Sequence, residues 1–138
     1  MTGFAFGLAS RGKLNSVHAD LYNIAQLVMS WQVYDFTIVW GYRGRAEQEQ
    51  AFLAGNSKKR FPHSRHNKDP STALDFAPWV NGGIPWNDTH AFAVIGGMFI
   101  AAGAQLGTPV RWGADWNRNG ATLDQTLMDF GHVELVNA

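Results

Sequence analysis

Ala73-Leu74-Asp75-Phe76-Ala77, followed by Pro78, is an apolar run with a single charge at its third position. It is too short for a helix, follows a polar loop and is closed by proline, so it predicts a β-strand. The aspartate within it has two readings. It is an edge-strand carboxylate facing water, or it is a buried one, which is costly unless it is paired or bound to a metal.

Working outward, residues 56–72 are polar and basic, are punctuated by Pro62 and Pro70, and read as a long loop. Before them, Arg45 to Ala54 predicts a short helix stopped by Gly55. Phe36-Thr37-Ile38-Val39-Trp40, β-branched and aromatic, predicts a buried strand. Leu14, Val17, Leu21, Ile24 and Val28 recur at steps of three and four, which predicts one amphipathic helix over roughly residues 11–31. Ser10 is its expected N-cap. Downstream, Asn81-Gly82-Gly83 marks a turn, and Asn87 or Asp88 caps a helix running to about Leu106. The Gly96-Gly97 pair weakens that helix by about 1 kcal/mol per residue relative to alanine, which predicts close packing there. Val110-Arg111-Trp112 and His132-Val133-Glu134-Leu135-Val136 complete the strands. Helices and strands in this mixed order predict an α+β fold, an antiparallel sheet packed with helices, rather than a doubly wound one. Residues 1–138 read as a single domain, with no repeat or linker.

The chain has 138 residues, 46% of them hydrophobic and 16% charged, enough for one globular core. Eleven basic residues balance eleven acidic ones, which gives no support to a nucleic-acid partner. No apolar run approaches the ~20 residues of a membrane span, and the N-terminus lacks the pattern of a signal peptide. Synthesis in the cytoplasm is the expectation, and nothing suggests more than a monomer.

There is no cysteine, so any metal site must use histidine and carboxylate. Of five histidines, His18 and His90 fall inside predicted helices and read as structural or solvent-facing. His66 lies at the end of the loop that leads to Asp75. Asp129-Phe130-Gly131-His132 is an Asp-x-x-His pair, which is able to set a histidine on a metal and a carboxylate beside an activated water. The plainer reading is a loop-end aspartate and an ordinary strand histidine.

Three segments together carry a resemblance: Ser64-Arg65-His66, Ala73-Leu74-Asp75-Phe76-Ala77-Pro78, and Asp129-Phe130-Gly131-His132-Val133-Glu134-Leu135. They resemble the zinc peptidases of the D-alanyl-D-alanine carboxypeptidase (VanY-like) family, and more narrowly the L-alanyl-D-glutamate endopeptidases that tailed phages use as endolysins. Tyr34 to Val39 with Arg43 after it, Trp86-Asn87-Asp88, and Arg111-Trp112-Gly113-Ala114-Asp115-Trp116-Asn117 look like further segments of that group. The resemblance runs from about residue 30 to the C-terminus.

It implies a hedgehog/DD-peptidase-like fold and one zinc ion held by His66, Asp75 and His132. Asp129 falls on the family's general base, and Arg43 on the arginine that steadies the scissile carbonyl, where oxyanion charge develops. Ser64, Asp115 and Trp116 fall near the metal or the substrate, Asp115 either as a carboxylate that orients a ligand histidine or in a plain turn or ion pair. The family spaces its first histidine and aspartate seven residues apart; here His66 and Asp75 are nine apart, and the intervening glycine is missing. Loops absorb such insertions at little entropic cost. His63 and Asp69 remain alternative ligands. Trp79, Trp86, Trp112 and Trp116 are able to line a cleft, although bulky aromatics more often build a core or its rim.

The expected function is hydrolysis of the L-Ala–D-Glu bond of bacterial peptidoglycan by metal-activated water. A D,D-carboxypeptidase or dipeptidase acting on D-Ala-D-Ala ends is the alternative enzyme. A zinc-stabilised wall-binding protein without turnover is the alternative of another class. As an endolysin the protein accumulates in a host cytoplasm and reaches the wall through a membrane lesion made by another protein.

Overall fold

A computed structural model describes residues 3–138. The elements run α1 (Leu8–Leu14), α2 (Ala19–Ser30), β1 (Phe36–Trp40), α3 (Arg45–Leu53), a 3-10 turn (Arg65–Asn67), β2 (Ala73–Pro78), α4 (Thr89–Gln105), β3 (Val110–Trp112) and β4 (His132–Leu135). The strands form one antiparallel sheet in the order β1-β2-β4-β3. The fold is α+β, as expected.

Side chains alternate across a strand, so neighbouring residues of β2 and β4 serve opposite faces. Leu74, Phe76, Val133 and Leu135 point into the core. There Phe76 stacks on Phe99 of α4 at 5.1 Å, and Phe36 meets Phe99 edge-on at 5.8 Å. Leu21, Ile24 and Val28 of α2 enter the same cluster. Asp75, His132 and Glu134 are left on the other face, where Asp75 stands directly opposite His132 in the ladder. One face of the sheet is therefore core and the other carries chemistry.

The single helix expected over residues 11–31 is two helices. The stripe residues Leu14, Val17, Leu21, Ile24 and Val28 are all buried, but the chain leaves the helix between Leu14 and Ala19. Ser71 bonds to both sides of the break: its N–H donates to the Ser16 carbonyl at 2.9 Å, and its carbonyl accepts from His18 N–H at 2.8 Å. His18 then caps α2 by accepting the Asp20 N–H at 3.1 Å on Nδ1. Tertiary pairing with the segment before β2 has overridden the helical period. Ser10 is not a cap either. It lies inside α1, where its Oγ accepts the Ile38 N–H at 3.0 Å and pins α1 to β1.

The later helices follow expectation. Gly55, with φ of 79°, follows the Ala54 C-cap of α3, and Asp88 caps α4 by accepting the Ala91 N–H. Gly96 lets α4 lie against the Trp112 indole, since a Cβ there would come within 2.5 Å of the ring. Its neighbour Gly97 faces open space.

Candidate active site

β2 and β4 bring Asp75 and His132 together through their register, and the 3-10 turn brings His66 to them. Asp75 Oδ1 lies 3.2 Å from His66 Nε2 and 3.0 Å from His132 Nδ1. Among the described residues, these three form the one group of potential ligands whose donor atoms all lie within 4.8 Å of one another.

The far side of each imidazole is also occupied. His66 Nδ1 donates to the Gly41 carbonyl at 2.9 Å, which leaves Nε2 facing Asp75. Gly41 must be glycine for this, because a Cβ there would strike Lys13 and Ser16 at the end of α1. His132 Nε2 donates to Glu134 Oε1 at 2.9 Å, which turns Nδ1 towards Asp75. Glu134 is anchored through Oε2 by Arg65 Nε at 2.9 Å and Arg111 Nη1 at 3.1 Å.

The electrostatics describe a place for a cation. Burial favours a protonated Asp75, but the charge on His66 and the hydrogen bonds from His132 and His66 outweigh it and hold the carboxyl well below its ordinary range. Burial likewise disfavours a charged His132, yet its bonds to Asp75 and Glu134 push it up to about 10. Positive charge between these groups is thus stabilised, whether as protons or as a metal ion. Two imidazole nitrogens, each oriented from behind, and one carboxylate oxygen are a donor set that suits a tetrahedral site with one open position.

An open cavity of about 480 Å³ lies over the three residues, and Arg43, Ser64, Trp116 and Asp129 are among its lining. Burial raises the Asp129 carboxyl, and the Asp75 charge adds to the effect. Arg43 is 6% exposed; its Nε donates to Gln48 Oε1 at 2.9 Å, and its guanidinium lies 5.3 Å from the Trp40 ring centroid. Burial lowers its pKa, and the charges of Asp75 and Asp129 oppose that loss. Ser64 caps the 3-10 turn by accepting the His66 N–H at 3.2 Å. The Trp116 ring sits 5.5 Å from that of His132.

His63 and Asp69 are exposed and lie outside the cluster. Asp115 does not reach a histidine: its two oxygens accept the Asn119 and Gly120 N–H groups at 3.2 and 2.8 Å and close the loop after β3. The carboxylate behind His132 is Glu134, two residues along the same strand. That spacing places both on one face, and it is the signal by which Glu134 was open to being found. Trp112 belongs to the core, and Trp86 is 61% exposed on the rim. Gln48, fully buried, joins Arg43 to Asn67, Ser57 and Lys59. No local pattern marks it, because its partners come from distant loops.

Residues 2–136 match the family described as phage L-alanyl-D-glutamate peptidase. The chain is 40% identical over 136 residues to the L-alanyl-D-glutamate peptidase of Escherichia phage T5, an alignment covering 96% of this chain and 98% of that protein. Its fold matches the crystal structure of the Serratia marcescens L-Ala D-Glu endopeptidase ChiX with a TM-score of 0.76 and 27% identity, covering 95% of this chain and 90% of that one. A match over nearly the whole length, in sequence and in fold, settles the kinship: the chain belongs to the phage L-alanyl-D-glutamate peptidase family.

Proposed function

We propose that the protein hydrolyses the L-Ala–D-Glu bond of the peptidoglycan stem peptide with the help of one zinc ion held by His66, Asp75 and His132. The observation that carries this reading is the convergence of His66 Nε2, Asp75 Oδ1 and His132 Nδ1 at the floor of an open cleft that the Asp129 carboxylate also lines. Family membership supports the bond assignment.

The ion, when bound, supplies a Lewis acid that makes water a nucleophile near neutral pH and polarises the scissile carbonyl. Asp129 takes the proton of the attacking water and passes it to the leaving amine of D-Glu; its raised pKa makes it a better base than an ordinary aspartate. Arg43 faces the oxyanion that develops on the L-Ala carbonyl. Gln48 holds its Nε, which leaves the Nη groups for the substrate. Glu134 and the Gly41 carbonyl keep the two imidazoles in the tautomers that the site needs.

Among the described residues no helix is long and apolar enough to cross a membrane. In this reading the protein acts as a monomer, from a host cytoplasm, through a membrane lesion made by another protein. Digestion of purified cell walls, with the newly freed amino termini identified, tests the assignment. D-Glu at the new termini supports it. Release of D-Ala alone moves the protein to a D,D-peptidase, and wall binding without any new terminus moves it to a binding protein.

A further inference from the structure

The cleft does not end at the metal-holding residues. A second hollow, of about 510 Å³, adjoins the first, and the two share Arg43, Asn56, Asp75, Met128 and Asp129 as common walls. One continuous cleft therefore crosses the site, and its two arms differ in chemistry. The first arm has Lys58, Lys59 and Arg65 in its wall. Arg65 is spent on Glu134 and on the carbonyls of Leu135 and Ala138. The ion pairs of the described residues engage Arg60, Arg65 and Arg111 and leave Lys58 and Lys59 without a carboxylate. The second arm carries no charge beyond the shared walls. Trp40, Trp86 and Phe130 line it, with the exposed Trp86 stacked at 6.1 Å on Phe92, which belongs to the core beneath.

The stem peptide is asymmetric in the same sense. Before the scissile bond stands L-Ala, joined to the lactyl group of muramic acid, so this half offers methyl groups and a sugar ring without charge. After the bond stands D-Glu, linked onward through its γ-carboxyl, so its α-carboxylate is free beside the cleaved amide. We propose, resting on the L-Ala–D-Glu reading above, that the substrate lies with its sugar and L-Ala in the aromatic arm and its D-Glu α-carboxylate towards Lys58 and Lys59. The two lysines then determine specificity for an unamidated glutamate, and Trp86 is the platform for the sugar. Lysines this exposed act through a solvated ion pair, so their effect is modest, falls on substrate binding and weakens with salt.

The experiment compares kcat and KM of the zinc-loaded protein on N-acetylmuramyl-L-Ala-γ-D-Glu-L-Lys and on the same compound with the D-Glu α-carboxyl amidated. Amidation is expected to raise KM about fivefold at low salt, with kcat unchanged. The double variant Lys58→Gln with Lys59→Gln raises KM for the free acid by the same factor and leaves that for the amide unchanged. Trp86→Ala raises KM for the muramyl compound but not for the tripeptide lacking the sugar. Equal KM values for acid and amide with the parent protein overturn the inference without needing any variant. So does a double variant that weakens both substrates alike, or a Trp86→Ala whose cost is independent of the sugar. Failure to cut the L-Ala–D-Glu bond in any of these compounds removes the underlying functional reading, and the proposed orientation with it.

Discussion

His132 and His66 reach the same point from two different kinds of backbone. His132 stands on β4, where the antiparallel ladder sets it opposite Asp75 and one carboxylate, Glu134, fixes its ring. His66 stands on a 3-10 turn in a 17-residue loop (residues 56–72), with no ladder to place it. Its position comes from many small bonds: Ser64 Oγ accepts its N–H, its carbonyl accepts the Arg43 N–H at 2.8 Å, Gly41 accepts from its ring, and Asn67 donates to the Arg43 carbonyl at 2.8 Å. A side chain on a sheet is held by a few strong determinants, and one on a loop by several weak ones. Mutational costs are therefore expected to be concentrated behind His132 and spread out behind His66.

The largest effect does not discriminate between the two. His132→Ala, His66→Ala or Asp75→Ala each removes one of the three proposed ligands, and metal analysis of the purified variants is expected to find no bound zinc and no wall hydrolysis. Asp129→Asn comes next. It keeps the metal and the melting temperature while kcat falls about 10²- to 10⁴-fold. If Asp129→Asn cuts at the parental rate, the proton-transfer role assigned to it is wrong.

Glu134→Gln tests the comparison directly. Zinc affinity, measured by competition with a chromophoric chelator, is expected to fall about 10- to 100-fold. Asn67→Ala, behind His66, is expected to cost less, because other bonds still hold that turn. An equal loss in both variants breaks the contrast between sheet and loop.

pH sharpens it further. In the metal-free protein the His132 pKa is raised to about 10, so its proton stabilises the fold fully below the ordinary value of 6.5, and that contribution is lost as pH rises through 10. Urea unfolding in a chelator is expected to show declining stability between those limits. With zinc present the trend reverses in its lower part, since the metal needs the deprotonated ring. The smallest effect is that of Ser64→Ala, where the lost cap of the turn is expected to cost about 1 kcal/mol of stability and only a few-fold in activity.

Local chemistry was readable in the chain itself. Apolar runs of strand length, a capping Asp88 and the stop at Gly55 depend on near neighbours, and all of these elements stand where the sequence places them. The alternation of His132-Val133-Glu134 also contained the pairing of imidazole and carboxylate, and of the two roles open to Asp115 the structure shows the turn. The continuity of the first helix was not readable, because Ser71 competes for its backbone from more than 50 residues away.

What the sequence by itself determined is the inventory: which stretches pair or coil, that any metal site must be built from histidine and carboxylate, and which few residues are able to build one. Periodicity and residue chemistry act over a handful of positions, and that range is enough for an inventory. Only the tertiary structure decided that Asp75 rather than His63 or Asp69 meets His66 and His132, that Gly41 and Glu134 aim the two rings, and that Gln48 holds Arg43 in the cleft. Each of these depends on register or on loop closure between distant segments, and no local pattern of residues encodes such distances.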